Sequence, residues 1–66
     1  MSDEILTRKE VAKMLRLPMG TVDYYVSTCQ IPFSRLGKRN VRFRRQRILE
    51  WMDEREGVEY RYDKKE

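Results

Sequence analysis

Apolar residues recur at three- and four-residue intervals along most of the chain, and the breaks between these runs divide it into short elements. Between Thr7 and Arg16, Val11, Ala12, Met14 and Leu15 fall on one helical face, which leaves Arg8, Lys9, Lys13 and Arg16 for solvent or phosphate. Thr7 and Glu10 have the spacing of a capping box, and Leu6 precedes the cap as a staple for Val11. Pro18 disfavours a helical Leu17, so R-L-P-M-G reads as a tight turn. A second helix follows at once, from about Met19 to Thr28. Val22, Tyr25 and Val26 form its inner face, and Met19, Gly20, Thr21, Asp23, Tyr24 and Ser27 face out.

Ile31-Pro32 ends that helix, and the pattern then changes to that of a hairpin. Phe33 to Leu36 and Val41 to Phe43 are the strands, with Val41 and Phe43 inward and Arg42 outward. Gly37-Lys38-Arg39-Asn40 is the turn, because glycine and asparagine best tolerate a left-handed backbone. A third helix runs from Arg45 to about Glu54 on an apolar stripe of Ile48, Leu49, Trp51 and Met52, with Trp51 expected to anchor the core. Gly57 stops it. Residues 1–55 therefore read as one domain and 56–66 as a charged tail, either a marginal strand (Val58, Tyr60, Tyr62) or mobile. Two short helices joined by a very short turn and followed by a hairpin make a mainly α fold with a small β wing, a winged helix-turn-helix of three helices.

Charge turns this architecture toward a partner. The net charge is +4 over 66 residues, unevenly placed. Residues 34–47 hold Arg35, Lys38, Arg39, Arg42, Arg44, Arg45 and Arg47 and no acid, whereas the acids concentrate after residue 50. A basic, folded projection points to nucleic-acid phosphate rather than to a solubilising face. The second helix has no lysine or arginine. Within it, Tyr24 points outward and offers its hydroxyl to a phosphate or base edge, while Tyr25 falls on the core side. Asp23 either accepts from a cytosine amino group or holds a nearby arginine in place. The first turn of the third helix, Arg45-Gln46-Arg47, puts cations where they oppose the helix dipole by about 0.3–1 kcal/mol each, so an external anion, a phosphate, is expected there.

Other chemistry is disfavoured. The chain has one cysteine and no histidine, so an internal disulfide is excluded and a nitrogen–sulfur zinc site nearly so. Cys29 reads as a buried small hydrophobe. No nucleophile and base stand at a defensible spacing, and a chain this small has no room for a cleft of the usual size, so no enzyme, cofactor or small-molecule ligand is expected. The acidic start M-S-D-E and the absence of any long apolar run predict no membrane partner and a cytoplasmic location.

The runs L-T-R-K-E-V-A-K-M-L-R-L-P-M-G-T-V, I-P-F-S-R-L-G-K-R, V-R-F and I-L-E-W-M together resemble the small winged helix-turn-helix domains of the excisionase and AlpA type over residues 5 to 54. T-V-D-Y-Y, Thr21 to Tyr25, is similar to the T-L-R-Y-Y of the MerR regulators. The resemblance implies double-stranded DNA as partner, with the second helix in the major groove and the wing along the neighbouring backbone or minor groove. Several positions differ from the usual pattern. Pro18 replaces a serine cap, Cys29 a glycine, Asp23 the MerR-type arginine, and Arg45-Gln46-Arg47 an acidic first turn.

The expected DNA contacts are Gly20, Thr21, Asp23, Tyr24 and Ser27 from the recognition helix. The wing adds Arg35, Lys38, Arg39, Asn40 and Arg42, and the start of the third helix adds Arg44, Arg45 and Arg47. The implied role is a phage or mobile-element excisionase that bends DNA beside an integrase or other recombinase, with neighbouring copies of itself as further partners. An AlpA-like transcription regulator is the alternative, and an RNA- or protein-binding adaptor a more distant one.

Overall fold

The computed structural model describes residues 3–57. Its elements in order are β1 (Ile5–Leu6), α1 (Arg8–Leu15), α2 (Met19–Ser27), β2 (Ser34–Leu36), β3 (Asn40–Arg44) and α3 (Arg45–Arg55). Three helices with a small antiparallel sheet make the winged helix-turn-helix that the pattern predicts. The expected tail lies, from residue 58 onward, outside the described residues.

Local sequence accounts for the helix ends. At the start of α1 the capping box is complete: the Thr7 amide donates to Glu10 Oε1 at 2.8 Å and the Glu10 amide to Thr7 Oγ1 at 3.2 Å. The helix closes where Arg16 turns left-handed, φ 57°, while the Leu17 amide donates back to the Ala12 carbonyl at 2.8 Å. Pro18 then caps α2 with its extended backbone, and its carbonyl accepts from the amides of Thr21 and Val22. The end of α2 repeats the closure of α1. Cys29 adopts φ 56°, and the Gln30 amide donates to the Tyr25 carbonyl at 2.8 Å.

Cys29 is thus not the buried hydrophobe expected of it. It is exposed, at a position whose geometry favours glycine, and the next apolar residue, Ile31, takes the place in the core.

The sheet has order β1-β3-β2. Leu6 pairs with Phe43 and Ile5 with Arg44 on one side of β3; Ser34, Arg35 and Leu36 pair with Arg42, Val41 and Asn40 on the other. The central place of β3 explains why Val41 and Phe43 are nearly fully buried. β1 is absent from the sequence reading, since two residues are too few to show alternation and only the distant β3 makes them a strand. In the wing turn Gly37 alone takes a left-handed backbone, φ 83°; Asn40 is instead the first residue of β3.

Leu6, Val11, Val22, Val26, Phe43 and Ile48 are the heart of the core. Trp51 does not anchor it. Its indole sits half-buried at the rim, donating Nε1–H to the Gln30 carbonyl at 2.7 Å, edge-on to Tyr25 with ring centroids 5.6 Å apart. An indole N–H needs a polar partner, which places the ring at an edge. Tyr25 is half-buried beside it, and Met52, expected in the apolar stripe, is exposed.

Candidate nucleic-acid interface

The outer side of α2 is built from small and polar side chains apart from Met19 and Tyr24, both exposed. Around Gly20 the position of an added Cβ is open space, so backbone is bare there. Tyr24 stands out with 58% of its surface exposed, as its position in the pattern predicts. Thr21 is half-buried at the inner margin. Ser27 is exposed but its hydroxyl donates to the Tyr24 carbonyl at 3.0 Å, so it offers a ligand its acceptor side. Asp23 Oδ1 lies 3.4 Å from Arg8 Nε, which realises the second of the two roles open to it. Arg8 belongs to α1 and was not among the residues expected to act.

The wing spans Ser34 to Arg44. Cross-strand partners share a face, so Ser34, Leu36, Asn40 and Arg42 stand opposite the core, continued by Ile5 and Arg44. Arg42 is half-buried and lies along its own strand, Nη1 donating to the Val41 carbonyl at 2.9 Å. Arg35 is on the other face, its guanidinium 5.7 Å from the Phe33 ring centroid. Lys38 and Arg39 form the exposed tip, and within the described residues neither they nor Arg44 forms an ion pair.

The three arginines around the start of α3 divide. Arg44 and Arg47 line an open cleft of about 320 Å³ together with Pro32, Phe33 and Ser34. Arg45 faces elsewhere, toward Glu4, with Nε 3.7 Å from Oε1. A cation at this helix end does not require an external anion, contrary to the sequence argument, because the chain supplies one. Asp3 Oδ1 accepts from the Gln46 amide at 2.9 Å and the Glu4 carbonyl accepts from the Arg45 amide at 2.9 Å. The segment leading into β1 is the cap that Arg44 cannot provide. Arg47 has its own neighbour, Glu50, at 3.8 Å. Both arginine pairs are largely solvated, and such pairs contribute about 0–1 kcal/mol, so neither arginine is tied down.

Asp3, Glu4 and Arg8 are neighbours of the candidate residues that the sequence pattern does not indicate. Nothing local signals the first two, since Asp3 and Gln46 are 43 positions apart. Among the described residues no His, Cys, Asp and Glu side chains gather as a metal site, and no helix is long and apolar enough to cross a membrane.

A three-helix fold with a basic wing and a bare, polar second helix defines a small DNA-binding protein. The sequence model described as a helix-turn-helix domain matches residues 5–56, and the chain belongs to that family. No curated protein and no solved structure matches it. DNA is the partner this membership supports.

Proposed function

We propose that the domain binds duplex DNA with sequence preference and acts as an excisionase-type directionality factor, bending DNA beside a recombinase. The observation that carries this reading is the division of charge. The exposed wing tip and the Arg44–Arg47 cleft are rich in cations, as the outer side of α1 is with Lys9 and Lys13, while the recognition helix has none of its own. Attraction therefore comes from backbone contacts flanking the helix, and recognition leans on the shape and deformability of the duplex. In this reading Lys38, Arg39, Arg44 and Arg47 meet phosphates, Arg35, Asn40 and Arg42 support the wing along the groove, and Arg45 adds long-range attraction. Gly20, Thr21, Tyr24 and Ser27 meet the major groove.

Titration against duplex DNA, duplex RNA and single strands at several salt concentrations tests this. Four phosphate contacts give a log–log salt slope of about −3.6 on duplex DNA. Lys38→Ala with Arg39→Ala weakens all sequences alike, and a bend shows as position-dependent mobility of permuted fragments. Indifference to salt or no preference for duplex DNA refutes DNA binding. A straight duplex in the complex refutes the excisionase role and leaves a simple operator-binding regulator.

A further inference from the structure

The fold gives α2 the cation its sequence lacks. Arg8 opens α1, yet its Nε lies 3.4 Å from Oδ1 of Asp23, in the middle of α2. That Nε is shielded from solvent and makes no hydrogen bond, so Asp23 holds the guanidinium by charge from its Nε side. The rest of the group is accessible: the side chain is 37% exposed, and among the described residues nothing takes its two Nη groups.

A carboxylate on a face that meets duplex DNA is repelled by phosphates, and it also offsets the charge of the arginine beside it. The pair is therefore a poor phosphate anchor. What it gains is direction, since a carboxylate drawing the Nε side favours orientations that leave the Nη edge free, and such a pair of donors suits the O6 and N7 acceptors of guanine. We infer that Arg8 reads a guanine edge in the major groove and that Asp23 is its positioning residue. This rests on the DNA-binding reading and makes Asp23 a holder of Arg8 rather than a direct reader of cytosine.

The test is a preferred duplex, obtained by selection from a randomised site, titrated with each single base-pair variant. The proteins are wild type, Arg8→Ala, Arg8→Lys, Asp23→Ala and the wing double variant, all checked by thermal melting. At one G·C pair wild type discriminates by about 5- to 150-fold. Arg8→Ala removes that discrimination and leaves the other positions unchanged, and Arg8→Lys reduces it at the same base pair, because an ammonium lacks the rigid planar fork. Asp23→Ala blurs the same base pair while binding to all sequences tightens, a combination that a merely structural ion pair does not produce.

The inference is overturned if Arg8→Ala keeps full discrimination, or if it weakens every sequence equally as a phosphate contact does. It is also overturned if Asp23→Ala leaves the preference at that pair intact. With duplex binding still dependent on the wing, any of these results removes this inference alone; a wild-type protein that does not bind duplex DNA removes both.

Discussion

Asp3 makes a strong prediction, because one carboxylate from the start of the chain caps α3, the helix whose first turn holds Arg45 and Arg47. Its Oδ1 accepts from the Gln46 amide at 2.9 Å, at the start of a helix with no side-chain cap of its own and no acid in its first turn. Asp3→Asn keeps an acceptor oxygen at that position and removes the charge, so it loses only the dipole interaction, about 0.3–1 kcal/mol. Asp3→Ala loses the hydrogen bond as well, and cap removals of this kind cost about 0.5–2 kcal/mol.

A change of 1 kcal/mol moves the midpoint of a domain this small by about 4–8 °C. Melting curves followed by circular dichroism are thus expected to order wild type above Asp3→Asn and Asp3→Ala lowest. The first gap narrows in high salt, where charge is screened, and the second persists. On the DNA-binding reading, affinity moves the other way for Asp3→Asn, which raises it by removing a negative charge at the start of α3, the helix that Arg45 and Arg47 open. Equal melting of all three proteins refutes the cap, and unchanged DNA affinity in Asp3→Asn places the start of α3 away from the DNA.

Other substitutions probe other links. Cys29→Gly relieves a left-handed cysteine and stabilises the fold by up to about 1 kcal/mol, whereas Cys29→Ala gives no such gain; a destabilised glycine variant refutes the strain. Gly20→Ala has open space and raises helix stability by about 0.5–1 kcal/mol, yet weakens DNA binding if backbone approaches the groove there; tighter melting with unchanged affinity removes Gly20 from the interface. Trp51→Phe keeps a ring beside Tyr25 but loses the bond to the Gln30 carbonyl, lowering stability by about 0.5–1.5 kcal/mol with DNA binding retained, as thermal melting and titration check.

By itself the sequence determined the elements whose causes are local. The Thr7–Glu10 capping box, the Pro18 break, the Gly37 turn and the helical spacing of Val11, Val22, Val26 and Ile48 each act within a few residues, so three helices and a basic hairpin were legible in order. The clustering of arginines was legible for the same reason. Tertiary structure decided what depends on contacts between distant segments. It made Ile5–Leu6 a strand by pairing it with β3 and brought Asp3 and Glu4 to the start of α3, supplying an anion where the local sequence called for an outside one. It sent Trp51 to the rim, because its N–H required the Gln30 carbonyl, and turned Cys29 outward at a helix end. Most consequentially it set Arg8 of α1 against Asp23 of α2. A helix without a cation of its own acquires one only when two helices pack, and no periodicity along the chain records that meeting.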